Sequence, residues 1–194
     1  MSESLDTSCH PVFLFCRFAV RVIFRLMLSW RIEGREHVPP SGPVILASNH
    51  ISNFDPPLVG ACLKRQLHFM AKSELFRYQP FAKLLRVVGA FPVRRGQNDK
   101  SALKSAILRA QSGHCVIVFP EGHRSKTGEL GEGMPGVAFI ARKAQCPIVP
   151  VAVIGPYGFR RRVTVRFGPA FLPDSADTND TLLHKIMLQI KQLQ

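Results

Sequence analysis

Val44-Ile45-Leu46-Ala47-Ser48-Asn49-His50-Ile51-Ser52-Asn53-Phe54-Asp55-Pro56-Pro57 is the stretch that decides the fold. It opens with a short, wholly apolar run, Val44 to Ala47, suited to a strand buried on both faces. A polar loop follows, and then a prolyl pair that fits the first turn of a helix, where a missing N–H costs nothing. Asp55 stands just before the prolines, in the place of an N-cap. A buried strand, a polar turn and a helix start in immediate succession are the repeating unit of an α/β sheet.

The same alternation continues outward. Leu67 to Ala71 reads as a strand, and Glu74 to Val88 as a helix in pieces, broken near Pro80. Asp99 to Gln111 places Ala102, Leu103, Ala106, Ile107 and Ala110 on one helical face, and Gly113 ends it. Val116 to Phe119 is a second buried strand. Val137 to Ala144 reads as helix, and Ile148 to Ile154 and Val163 to Phe167 as strands. Asp180 is expected to cap a final amphipathic helix with Leu182, Leu183, Ile186, Met187 and Ile190 inside. Pro39, Pro40 and Gly42 mark a turn in Arg31 to Gly42. The expected fold class is α/β: one domain, residues 31–194, with a central mostly parallel or mixed sheet flanked by helices, preceded by a distinct region, residues 1–30. Ligands of such sheets sit at the carboxyl ends of the strands. His50 and Glu121 both fall just past a strand end.

The chain has 194 residues, of which 46% are hydrophobic, enough for a real core. Its net charge of +13 favours a polyanionic partner, whether nucleic acid, an anionic membrane surface or a phosphorylated substrate. The cysteines, Cys9, Cys16, Cys62, Cys115 and Cys146, are odd in number and form no Cys-x-x-Cys pair. They suggest neither a zinc site nor a disulfide framework, and Cys115 and Cys146 read as buried thiols in a reducing, cytosolic setting.

Pro11 to Trp30, PVFLFCRFAVRVIFRLMLSW, is strongly apolar but carries Arg17, Arg21 and Arg25 every fourth residue, a slanted basic stripe on a helix. Arginine at the centre of a spanning helix costs about 2.5–3.5 kcal/mol. An interfacial helix fits better, with Phe13, Phe15, Phe18, Val22, Phe24 and Leu28 entering the acyl boundary, the arginines meeting lipid phosphates and Trp30 at headgroup depth. The competing reading is a docked helix with a wide apolar face. Glu3 and Asp6 ahead of the apolar run, the arginines within it and the lack of a small-residue cleavage site speak against a cleavable signal peptide.

Asp55 lies five positions after His50, and the intervening residues are long enough to turn the carboxylate back onto the imidazole. Such a pair holds one tautomer and stabilises the imidazolium, leaving the other ring nitrogen to take a proton. The plainer reading of the pair is a helix cap beside a loop histidine. Phe119-Pro120-Glu121-Gly122-His123-Arg124-Ser125 is a second strand exit. There Gly122 admits close backbone approach, Arg124 can grip a phosphate, and Glu121 can bond an acceptor hydroxyl or orient a basic neighbour. Gly89-Ala90-Phe91-Pro92-Val93-Arg94-Arg95-Gly96 delivers two more arginines, which in isolation read as a solvated pair. Two such motifs in this order, in a basic chain, suggest acyl transfer to an anionic acceptor.

In these segments the chain resembles the lysophosphatidic acid acyltransferase family, the PlsC-like 1-acylglycerol-3-phosphate acyltransferases. Asn49 to Asp55 is similar to the family's His-x4-Asp block, Phe91 to Gly96 to its second, Phe119 to Ser125 to its third, and Ile148-Val149-Pro150-Val151-Ala152 to its fourth. With Ala71 to Leu75, the resemblance covers about residues 30 to 170. It departs at His123, where threonine is usual, and at Arg94, where an acidic residue is frequent. These departures bear on the acceptor headgroup.

The resemblance implies a thioester donor, acyl-CoA or acyl carrier protein, as co-substrate, with no other cofactor and no metal. It implies His50 as general base and Asp55 as its partner, with Lys72, Arg95 and Arg124 on the phosphate of lysophosphatidic acid. Glu121 and Gly122 are expected to shape the acceptor pocket. A peripheral or monotopic position on the cytoplasmic face of a membrane follows, with the phospholipid surface as partner and no nucleic acid. The alternatives are the same chemistry on glycerol-3-phosphate, another lysophospholipid or a lyso-ornithine lipid, and, from another class, a non-catalytic basic protein that binds membrane or nucleic acid.

Overall fold

The computed structural model describes residues 11–94, 99–125 and 127–194. After helix α1 (Pro11–Met27) the chain alternates strands and helices: β1 (Ser29–Glu33), β2 (Val44–Ser48), α2 (Asp55–Cys62), β3 (Leu67–Lys72), α3 (Gln79–Val87), β4 (Ala90–Val93), α4 (Lys100–Gln111), β5 (Cys115–Val118), α5 (Gly136–Ala144), β6 (Ile148–Ile154), β7 (Arg162–Phe167) and α6 (Asn179–Leu193). The strands form one sheet in the order β1-β7-β6-β2-β5-β3-β4, parallel except where β7 turns back antiparallel along β6. The expected α/β class with a mixed sheet flanked by helices is what forms.

β2 and β5 are buried throughout because helices cover both sheet faces. Val44 and Leu46 point to a core with Leu58, Val59, Val149, Val151, Val163 and Val165, under α1 and α2. Ile45 and Ala47 point the other way, onto Ala106, Ala110, Val137, Ile140 and Ile186 of α4, α5 and α6. The period-2 alternation of β2 thus feeds two cores.

Several local expectations are corrected. Two strands had not been foreseen, β1 and β4, both at sheet edges. The boundary expected after residue 30 falls inside β1, which pairs along its whole length with β7. Trp30 is therefore a strand residue, half-buried with its ring 6.3 Å from that of Phe24, and not a residue at the end of the first helix. The last helix is capped by Thr178, in a reciprocal box with Thr181, rather than by Asp180. Asp55 is the first helical residue, behind Phe54, and its carboxylate turns back to the preceding loop rather than to the helix amides.

The basic stripe of α1 is also corrected in part. The Arg17 guanidinium donates to the Lys64 carbonyl (2.6 Å), and Arg21 donates to those of Ala61 (2.7 Å) and Leu63 (3.0 Å). Both arginines thereby satisfy carbonyls at the end of α2. Phe13, Phe24 and Leu28 lie buried on the same inward side, while Phe15, Phe18, Ile23 and Leu26 are exposed. Among the described residues no helix is long and apolar enough to cross a membrane.

Candidate active site

β2 ends at Ser48, and the next side chain fixes how the chain leaves the sheet. The Asn49 amide accepts from the Val153 N–H (2.7 Å) and donates to the Val153 carbonyl (2.9 Å). It thus pins the exit of β2 to β6. His50 follows, 5% exposed, with its ring stacked on Phe119 at 4.0 Å between centroids.

Asp55 is fully buried and would be costly there as an anion without donors. It has four. Oδ2 accepts from His50 Nδ1 (2.7 Å) and from the N–H groups of Ile51 (2.7 Å) and Ser52 (2.8 Å). Oδ1 accepts from the Tyr157 hydroxyl (2.7 Å). With Nδ1 facing the carboxylate, the histidine carries its proton there and presents Nε2 as a base. No described residue hydrogen-bonds Nε2.

Tyr157 was not foreseen, and no local signal marks it: it lies 102 positions from Asp55 in the chain. Burial first, then the Asp55 charge and hydrogen bond, push its phenol far above the usual range, so it stays a donor.

Glu121 was expected in the acceptor pocket. It is 1% exposed, and both oxygens are taken by backbone amides: Oε1 by His50 N–H (2.7 Å) and Oε2 by Gly131 N–H (3.0 Å). The Ser125 N–H donates to the His50 carbonyl (2.7 Å), so the loop after β5 grips both sides of the His50 backbone. Gly122 adopts φ +68°, and an added Cβ would sit 2.5 Å from Met134 Sδ. Glycine is needed there for both reasons.

The cations line up along the carboxyl edge of the sheet. Arg124 is exposed on the loop after β5, and no described residue bonds its guanidinium. Lys72 ends β3, exposed and 3.6 Å from Glu74. The β3–β4 register sets it beside Val93, one residue before Arg94. Arg95 lies outside the described residues. Crossing from β2 to β5, β3 and β4, the edge therefore carries the His50–Asp55 pair, then Arg124, then Lys72, then Arg94. Among the described residues no cluster of three or more His, Cys, Asp or Glu stands where it could hold a metal. Burial pushes the thiols of Cys62 and Cys115 up to about 12 and that of Cys146 to about 11, which leaves them inert. An open cavity of about 600 Å³ between Leu130–Gly133 and α6 includes neither His50 nor Asp55 in its lining. It touches the site only through Gly131, whose N–H reaches Glu121.

A family model described as Acyltransferase matches residues 29–154. A 1-acyl-sn-glycerol-3-phosphate acyltransferase of Bacillus subtilis is 32% identical over 149 residues, 75% of this chain and 72% of that one. A Streptococcus pneumoniae protein of the same name is 32% identical over 187 residues, 87% of this chain and 69% of that one. Among solved structures, that of PlsC, the 1-acyl-sn-glycerophosphate acyltransferase of Thermotoga maritima, shares the fold. Its TM-score is 0.79 at 23% identity, covering 93% of this chain and 78% of that one.

Proposed function

Because the chain belongs to the acyltransferase family, we propose that it moves a fatty acyl group from a thioester to the free hydroxyl of 1-acylglycerol-3-phosphate, giving phosphatidic acid at a membrane surface. The observation that carries this reading is the buried His50–Asp55 pair, 2.7 Å apart, with Nε2 left without a partner among the described residues.

Nε2 takes the proton of the acceptor hydroxyl as its oxygen attacks the thioester carbonyl. The tetrahedral intermediate collapses by breaking the carbon–sulfur bond, and the leaving thiolate takes the proton back from the imidazolium. The Asp55 charge stabilises that imidazolium while it exists. Direct transfer agrees with the inert buried thiols and needs no acyl-enzyme. Acyl-CoA and acyl carrier protein both satisfy this chemistry as donors.

Neighbouring strands are about 4.8 Å apart. Arg124, one strand from His50, suits a phosphate three bonds beyond the reacting carbon of glycerol. Lys72 and Arg94, two and three strands away, suit more distant anionic groups, and Arg95 follows Arg94. Glu121 acts as a positioning residue through the His50 N–H rather than as a ligand of the acceptor, and Gly122 keeps the backbone beside it open.

The membrane part of the reading draws on α1, whose outward side bears Phe15, Phe18, Ile23 and Leu26, 50–70% exposed. Placement on the cytoplasmic face agrees with donors made in that compartment.

The test is thiol release from a long-chain acyl-CoA, with and without lysophosphatidic acid, by wild type and His50→Ala. Acceptor-dependent release abolished in the variant is expected. Failure of the folded wild type with either donor and with a panel of lyso-acceptors would overturn the catalytic reading.

A further inference from the structure

The loop between β6 and β7, Gly155-Pro156-Tyr157-Gly158-Phe159-Arg160-Arg161, leaves the sheet at the edge that carries His50 and Glu121. Tyr157 points inward to Asp55. Two residues later Phe159 is 75% exposed, and Arg160, Arg161 and Arg162 are exposed after it.

The loop is stitched to the end of α1. The Arg160 N–H donates to the Met27 carbonyl (2.7 Å), and the Arg161 carbonyl accepts from the Ser29 N–H (3.0 Å). Phe54, itself 57% exposed, bridges the two, its ring 6.2 Å from Tyr157 and 6.3 Å from Phe24. Phe54 and Phe159 therefore add exposed rings beside the C-terminal end of α1, where Leu26 and Met27 are also exposed, and the arginines follow Phe159 directly in the chain. Among the described residues no acidic side chain pairs with these three arginines.

We propose that Phe159 and the Arg160–Arg162 row form a second docking element for an anionic lipid surface, acting alongside α1. The proposal rests on the membrane reading above and extends it to a segment remote in sequence from α1. A bilayer covers both halves of this patch: the ring enters the acyl boundary while the guanidiniums bond headgroup phosphates. An acidic protein would pair with the arginines and leave Phe159, Leu26 and Ile23 in water. The arrangement also ties docking to catalysis, because the residue anchored in the lipid is two positions from the tyrosine that holds Asp55.

The test is co-sedimentation with vesicles of phosphatidylcholine alone and of phosphatidylcholine mixed with phosphatidylglycerol. The proteins are wild type, Arg160→Gln/Arg161→Gln/Arg162→Gln, Phe159→Ser and, on α1, Leu26→Ser, each checked for folding by circular dichroism. At roughly fivefold per arginine near a charged surface, the triple substitution should weaken binding to the anionic vesicles by about 10² and leave the neutral ones unchanged. Phe159→Ser should weaken both. Transfer to a short-chain, water-soluble lysophosphatidate should be unaffected by the triple substitution.

Wild-type partitioning by the triple variant, or no binding of wild type to either vesicle, would overturn the proposal. So would loss of carrier-protein-dependent rate with unchanged partitioning, which would make the row a carrier-protein dock. Failure of the catalytic reading shows separately, as no transfer by wild type to the soluble acceptor.

Discussion

Asp55→Asn removes one charge and almost no volume, and the geometry says what the rest of the site will do. The amide oxygen can keep the place of Oδ2, where it still accepts from His50 Nδ1, Ile51 and Ser52. The amide nitrogen then faces Tyr157, whose hydroxyl can turn from donating to accepting. What disappears is the negative charge opposite an imidazolium. At about 4 Å between charge centres and an effective dielectric near 20, that interaction is about 4 kcal/mol. It is felt when the ring is charged, near the transition state, and hardly at all when it is neutral. We therefore expect kcat and kcat/KM to fall together by about 10³, with KM little changed. Weaker hydrogen bonds to a neutral acceptor, offset by the smaller cost of burying an amide, should lower stability by about 1–2 kcal/mol, or roughly 2–8 °C in Tm for a chain of this size. The assay is acceptor-dependent thiol release at 25 °C, alongside a thermal melt. A folded variant with kcat within tenfold of wild type would refute the role given to the carboxylate.

Tyr157→Phe leaves Asp55 Oδ1 without its donor. Stability should fall by about 1–2 kcal/mol and kcat by a smaller factor than in Asp55→Asn, measured by urea denaturation and the same thiol assay. His68 and His114 lie with ring centroids 4.5 Å apart, and among the described residues both Nε2 atoms are buried without a partner; burial first, then the nearby Arg109 and Arg65, lowers His114, while burial, then the His114 charge and the same arginines lower His68 to about 3. The unfolded chain therefore binds these protons first. Stability is full above about pH 6.5 and declines as pH falls below it, by up to about 1.4 kcal/mol per pH unit per histidine, so His68→Gln should flatten the acid slope of the urea midpoint. Gly122→Ala must take up φ +68° and meets Met134 Sδ at 2.5 Å, so a loss of at least about 1 kcal/mol and a lower kcat/KM are expected.

The strands that lie deep in the sheet were legible as sequence, because burial on both faces leaves an unbroken apolar run, as in β2, β5 and β6. β1 and β4 were not. Ser29-Trp30-Arg31-Ile32-Glu33 mixes charge with apolar residues, and its partner β7 is more than a hundred residues away. β4 carries Pro92, which an edge tolerates and which disguises a strand. The chemistry divides in the same way. His50 and Asp55 are close in sequence, so spacing alone brings them within reach. The Tyr157 bond to Asp55 and the Glu121 bond to the His50 amide depend on how distant strands end beside each other. The arginine stripe of α1 gave the correct helix but an incomplete account of its partners, since periodicity finds a face without saying what covers it. Carbonyls at the end of α2 and just past it, those of Ala61, Leu63 and Lys64, cover that of Arg17 and Arg21.

Only Leu28 separates the last residue of α1 from the first of β1. It is buried and continues the helical bonding by donating to the Phe24 carbonyl at 2.8 Å. There is no slack between an element proposed to lie in the lipid and the sheet that carries the histidine. On the membrane reading the two form a ruler: once the helix is seated, the height of Nε2 above the bilayer plane is fixed, and hydroxyls are selected by how far their headgroup raises them. Two glycines inserted after Met27 would add play to the ruler. The expected result is a wider choice of lyso-acceptors on vesicles with unchanged transfer to a soluble one, and an unaltered acceptor profile would show that height plays no part in the choice.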